Sequence, residues 1–314
     1  MRCLLSFDPF ELNHPVQQFI NGLALGSIYA LIALGYTMVY GVLRFINFAH
    51  ADVLMLGAYA AAFVAPVLAG FLGGPSLLLL FATVLVAAVV CAGIGMLIEA
   101  LAYRPLRARP KLTVLITAIG VSLFIEFTAQ HPAVFGAKTR PFPQLLPAGN
   151  LEFAGATLSR VDLLIPVVTV LLLAGLWVLV QRTRMGMAMR AVSFNQNAAS
   201  LMGVNNNRII SFTFGLGSAL AAVAGVLYSV RSSGIDPLMG IRPGLIAFSA
   251  AVVGGIGDLG GAVLGGLLLG MLETYAGGVE GLSNYRDAIS FGMLVVILLF
   301  RPAGLLGRAQ VEKV

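Results

Sequence analysis

Residues Leu77 to Ile98 read LLLLFATVLVAAVVCAGIGMLI, 22 positions without an acid or a base. A helix rises about 1.5 Å per residue, so this run covers the roughly 30 Å of a bilayer's hydrocarbon core. Two further runs, Leu163–Val180 and Ile209–Val230, are equally free of charge. The whole chain of 314 residues is 59% hydrophobic and 10% charged, with a mean hydropathy of +0.96. A soluble domain carries about 25% charged residues. The composition therefore places the chain among all-α, polytopic membrane bundles, read as a single transmembrane domain over residues 1–314.

Working outward, Val16–Val42, Ala51–Ala69, Pro75–Tyr103, Leu112–Gln130 and Ala288–Phe300 complete the clear spans. Gly244–Glu273 is apolar but rich in glycine, and reads either as one span or as a re-entrant pair, for about eight membrane segments in all. The bases gather in short loops: Arg104, Arg107, Arg109 and Lys111; Arg182, Arg184, Arg190 and Arg208; Arg301, Arg308 and Lys313. By the positive-inside rule those loops face the cytoplasm, with the N-terminus outside and the C-terminus inside. The proline-rich loop His131–Asp162 then lies outside, although it carries Lys138, Arg140 and Arg160. The net charge of +6 is thus a topology signal and not a nucleic-acid footprint. Cys3 and Cys91 are too few and too far apart for a disulfide framework or a metal site, and Asp8 and Glu11 argue against a cleaved signal peptide. A glycine-studded span precedes a polar joint at Arg44–Asp52 and again at Arg231–Arg242, an echo of the kind found in transporters built from repeated halves.

Gly255-Ile256-Gly257-Asp258-Leu259-Gly260 matches GxGxxG but lies in an apolar membrane segment, without the strand that a dinucleotide site requires. Gly254, Gly255, Gly257, Gly260 and Gly261 read instead as close helix packing or a joint. No phosphate-binding GxxxxGK[ST], no HExxH and no GxSxG occurs, and the three histidines are His14, His50 and His131. The chain is read as no enzyme, and any ATP it uses must be bound by another polypeptide. Asn47, His50 and Asp52 are polar at an apolar edge. They line a path, or they satisfy a helix–turn–helix joint in which Asn47 or Asp52 caps the next helix. Glu99 precedes Arg104 at a spacing that predicts an interfacial ion pair, and Glu126 near a span end predicts interfacial exposure. Glu273 is the acid best placed to line a polar path.

Gln181–Arg208 is a polar island between two long apolar runs, and within it Ala198 and Ala199 are followed by Gly203, a natural helix stop. A short helix at a membrane surface, running Ala191–Gly203, reads as a docking element for a partner. Here the chain resembles a known family. NGLALGSIYALIALGYTMVYG, INFAHADVLMLGAY, IEALAYRPLR, RMGMAMRA, GSALAAVAGVLY, AAVVGGIGDLGGAVLGG and RPAGLLGRAQVEKV are similar, in order and over nearly the whole chain, to permease subunits of branched-chain amino acid ABC importers of the LivH type.

That resemblance implies a half-transporter in a bacterial inner membrane. A second permease subunit pairs with it in the lipid, two cytoplasmic ABC ATPase subunits dock beneath and bind the ATP, and an external substrate-binding protein delivers the amino acid. No cofactor belongs to this chain. The cytoplasmic coupling loop is residues 182–208, with Arg190, Asn197, Ala198, Ala199 and Gly203 toward the ATPase; Asn197 stands where the family pattern has an acid. Ala51 and Met187 replace a glycine and an arginine typical of the family. Ser27, Asn47, His50, Asp52 and Glu273 are the expected path residues, consistent with a mostly apolar route for Leu, Ile or Val. The competing readings are a urea or short-amide ABC importer permease, a secondary transporter independent of ATP, and an intramembrane enzyme.

Overall fold

Apolar runs in lipid must satisfy their own backbone amides, and helices do so within one segment. The computed structural model describes residues 15–107, 109–147, 149–153, 156–279 and 281–307; Cys3, Asp8, Glu11, His14, Arg308 and Lys313 lie outside them. The helices are α1 (Pro15–Leu43), α2 (His50–Leu72), α3 (Leu77–Ile98), α4 (Lys111–Gln130), α5 (Arg160–Arg182), α6 (Arg184–Phe194), α7 (Gln196–Leu201), α8 (Asn206–Ser232), α9 (Ile241–Gly254), α10 (Leu259–Gly278) and α11 (Arg286–Phe300). Beyond Ile98, α3 continues through a π turn, Glu99–Tyr103, and a 3₁₀ turn, Arg104–Leu106.

The two ends of the bundle differ. At one, β1 (Arg140–Pro141) pairs antiparallel with β4 (Gly234–Ile235), with Arg140 opposite Ile235, and β2 (Asn150–Phe153) pairs with β3 (Ala156–Ser159). Ser76 N–H donates to the Leu145 carbonyl at 3.0 Å, and Arg231 pairs with Asp162 at 2.8 Å, closing this strand-bearing end. The opposite end carries α6, α7 and the segment 301–307. That segment seals the base of α9 through Leu305 N–H to the Val253 carbonyl and Leu306 N–H to the Gly254 carbonyl, 2.8 and 2.9 Å.

Among the described residues, eight helices are long and apolar enough to cross a membrane: α1–α5, α8, α10 and α11. With 14 residues, α9 covers only about 21 Å. Yet β4 lies at the strand-bearing end and α9 finishes at the other, so residues 236–254 complete a ninth crossing. The ambiguous stretch Gly244–Glu273 is therefore a half-helix followed by a full span.

The echo between the two polar joints is an inverted repeat. α1 and α8 run in opposite directions and end in the two non-glycine residues with positive φ among the described residues, Arg44 at 55° and Ser233 at 58°. Each is followed by a joint that turns back into the bundle before the next helix begins. The His50 imidazole at the head of α2 lies against Gly35 of α1, and Gly240 and Gly244 at the head of α9 pack on Ala51. The starts of the two broken helices thus meet. Packing crosses between halves, α1 against α10 and α8 against α3, so neither half buries its apolar faces alone. α1 and α8 are the buried centre, whereas Phe124, Phe127, Val170, Leu171, Leu299 and Phe300 of α4, α5 and α11 face outward, as lipid-contacting side chains do.

Candidate functional site

The joint after α1 is pinned by aromatic rings. Tyr103 O–H donates to Asn47 Oδ1 at 2.6 Å, Phe45 packs on Tyr103 at 5.2 Å between centroids, and Tyr36 packs on His50 at 4.6 Å. The N-cap of α2 is Ala49 and carries no side-chain cap, so neither Asn47 nor Asp52 has the expected capping role. Asn47 serves Tyr103 instead. Asp52 is buried and flanked by Ser122 and Glu126 of α4, which turns Glu126 into the bundle rather than toward the interface. Among the described residues His50 Nε2 and Asp52 Oδ2 make no hydrogen bond of normal geometry, with the Ile32 backbone beside His50 and Ser122 and Glu126 beside Asp52. Buried polar atoms of this kind are commonly met by water or a polar ligand. Ser27, on α1, is buried as well.

Glu99 is fully buried, not interfacial. It accepts from Arg104 Nη2 at 2.9 Å, from Arg107 and from the Ser211 hydroxyl of α8. The expected partner is present, but Arg107 and Ser211 are not visible in the spacing of Glu99 and Arg104. The π turn at Glu99–Tyr103 shifts the helical phase enough to bring both arginines to one carboxylate. Just past the span, Arg107 donates to Asn207 at 2.7 Å; burial lowers its pKa from the ordinary guanidinium value, and Glu99 opposes that shift.

Glu273 also belongs to a cluster. Tyr29 O–H donates to Glu273 Oε2 at 2.6 Å, and Arg242 Nη2 to Glu273 Oε1 at 2.7 Å. Arg242 then donates through Nε and Nη2 to Asp287 at 3.0 and 2.7 Å. Neither Arg242 nor Asp287 was among the expected path residues; Arg242 was read only as the end of the joint Arg231–Arg242.

The polar island folds into a bracket of two helices rather than one helix over Ala191–Gly203. Thr183 Oγ1 caps α6 by accepting from Gly186 N–H at 3.1 Å, and Asn195 Oδ1 caps α7 by accepting from Asn197 and Ala198 N–H at 3.0 Å each. Asn195 sits in extended backbone, and such side-chain capping competes with helix continuation. Gly203 has φ of 84°, a left-handed position that ends the bracket. Ala199 is buried, while Asn197, Ala198 and Gly203 are exposed. Arg190 is exposed and donates to the Val180 carbonyl. Three ties join the bracket to the spans: Ser193 O–H to the Gly41 carbonyl, Gln196 Nε2 to the Val42 carbonyl at 3.3 Å, and Asn206 Nδ2 to the Gln196 carbonyl at 2.8 Å. On its outer side Phe194, Leu201 and Met202 are 89, 87 and 85% exposed.

At the turn between α9 and α10, a Cβ on Gly254 would overlap the Gly261 carbonyl, and one on Gly261 would overlap that of Gly254. Gly255 and Gly257 have φ of 107° and 103°, and Gly260 stands in the first turn of α10 beside Asp258. Asp258 caps α10 by accepting from Gly261 N–H at 2.7 Å. The glycine pattern is a tight turn between two touching helices.

A family model described as branched-chain amino acid transport system / permease component matches residues 18–298. The chain belongs to that permease family. This permease is 45% identical to the high-affinity branched-chain amino acid transport system permease protein BraD of Pseudomonas aeruginosa, over 97% of this chain and 99% of the relative. It is 40% identical to LivH of Escherichia coli K12, over 95% and 97% of the two chains. It is 30% identical to the probable LivH of Methanocaldococcus jannaschii, over 90% and 89%. The likeness spans both joints, the bracket and the glycine turn of this multi-pass membrane permease.

Proposed function

We propose that this permease is the membrane half of an ATP-driven importer of branched-chain amino acids. A second permease completes the pathway, two cytoplasmic ATPases bind and hydrolyse the ATP, and an external binding protein supplies the substrate. In this reading the protein resides in a bacterial inner membrane with the bracket end cytoplasmic, the N-terminus outside and the C-terminus inside. The full-length relatives named for branched-chain amino acid transport support the substrate class over urea or amides.

The observation that carries the coupling role is the bracket. Phe194, Leu201 and Met202 present apolar side chains to water at the end where the bases gather, and exposed apolar groups rimmed by polar ones mark a protein contact. Through Ser193 and Gln196 the same bracket grips the last turn of α1. A push on α7 therefore reaches α1 and the joint 44–49, which holds Asn47 and leads into His50 and Asp52 at the head of α2, with Ser27 farther along α1 and Glu273 on α10, which packs against it. Those five residues are the proposed polar contacts of the path.

Reconstitution tests the reading. The permease pair, its ATPases and binding protein, placed in liposomes, should accumulate leucine only with ATP, and unlabelled isoleucine or valine should compete whereas urea should not. Leucine accumulation by the permeases alone, or urea uptake without leucine uptake, would refute it.

A further inference from the structure

Arg242 and Asp287 form the centre of a surface patch that the coupling role leaves unused. Their side chains are 47% and 51% exposed, with Glu273, 4% exposed, directly behind. Tyr29, which holds Glu273, is 14 residues into α1, about 21 Å along its axis, so Glu273 and the guanidinium it pairs with lie within the depth of the apolar spans, with Asp287 reaching them from the first turn of α11. A half-open ion pair at that depth cannot rest against acyl chains, because hydrocarbon does not solvate charge. It faces water or a polar visitor.

Its surroundings specify the visitor. Leu238, Ile241 and Leu245 are 44, 37 and 44% exposed; Leu245 lies one turn beyond Arg242 on α9, Ile241 directly precedes it, and Leu238 stands in the turn before the helix. One guanidinium, one carboxylate and an aliphatic stripe complement one chemical class: a zwitterion with a branched aliphatic side chain. We propose that this patch contacts the amino acid in the translocation path, facing the second permease across it. Arg242 receives the α-carboxylate, Asp287 the α-ammonium, and the aliphatic stripe the side chain. Arg242 donates to its neighbours through Nε and Nη2, which among the described residues leaves Nη1 for a ligand oxygen. Glu273 and Tyr29 position the guanidinium, so that it keeps its place when Asp287 turns to the ammonium. The proposal rests on the importer reading above.

The experiment uses the complete transporter in liposomes. Leucine accumulation by the wild type establishes the importer reading, and its absence refutes that reading independently of the patch. Given a working wild type, Arg242→Gln should lower uptake at saturating loaded binding protein at least tenfold, and Arg242→Lys should recover part of it. Asp287→Asn leaves Arg242 paired with Glu273, so a merely structural patch would keep transport, whereas the zwitterion contact predicts loss of uptake at normal membrane levels. In a Cys3→Ser background, Asp287→Cys should react with a charged, water-borne methanethiosulfonate, and leucine should slow the reaction. Wild-type uptake by Arg242→Gln or by Asp287→Asn, or an unreactive Cys at position 287, would each overturn the proposal.

Discussion

Truncating Phe194 to alanine isolates the docking role of the bracket. The side chain is 89% exposed, so its removal deletes almost nothing from the permease's own packing. Exposed substitutions of this kind stay within about 0.5 kcal/mol of the parent's stability. If an ATPase covers the bracket, the same ring is buried in the complex. Burying a side chain of this size is worth roughly 1.5–3 kcal/mol, and central interface anchors cost about 2 kcal/mol or more on truncation. We therefore expect Phe194→Ala to weaken ATPase binding by about 2 kcal/mol, roughly 30-fold in Kd. Leu201 and Met202, 87 and 85% exposed, should behave alike when both are changed to alanine. The assay is a titration of the detergent-solubilised permease pair with purified ATPase, run beside a thermal unfolding curve. Affinities within twofold of wild type for both variants would refute the reasoning. So would a fall in unfolding temperature that accounts for lost binding, because it would show that these side chains belong to the permease's own core.

Glu99→Gln strands Arg107, whose side chain is 16% exposed, and breaking a buried ion pair costs about 3–5 kcal/mol. Unfolding in mixed micelles titrated with detergent should register that loss, and Glu99→Leu with Arg107→Met should recover most of it; a loss under about 1 kcal/mol for Glu99→Gln would contradict the burial argument. Gly203→Ala places a Cβ at φ of 84° and should cost about 1–2 kcal/mol locally, read as faster hydrogen exchange in α7 with the spans unchanged. Asn195→Ala removes the cap of both α7 amides at about 1 kcal/mol and should loosen the same segment, whereas unaltered exchange in both variants would deny the bracket its caps. Gly254→Val drives a side chain into the Gly261 backbone and should abolish correctly folded permease in the membrane; normal yield and uptake would show that α9 and α10 can separate.

Span positions were legible because hydrocarbon depth and helical rise together impose a length on any apolar run. Leu77–Ile98, read from the sequence, coincides with α3. The glycine stop at Gly203 and the packing character of Gly254 and Gly261 were also legible, since both follow from the missing Cβ. Other features depended on contacts between distant segments. Asn47 read either as a path residue or, with Asp52 as the alternative, as a cap for α2; a hydroxyl 56 residues away holds it, and no local rule brings Tyr103 there. The π turn at Glu99–Tyr103 rotates Arg107 onto a carboxylate that a regular helix would not present to it.

The division has a physical basis. Hydropathy, charge placement and glycine spacing are local quantities, and they were sufficient for a multi-pass helical bundle with two broken joints and one polar segment between spans. Which polar groups are paired and which stand open is a property of surfaces that meet only on folding. Only the tertiary structure could set the heads of α2 and α9 against each other, gather Tyr29, Arg242, Glu273 and Asp287 from four separate segments, and leave Arg242 half exposed among aliphatic side chains.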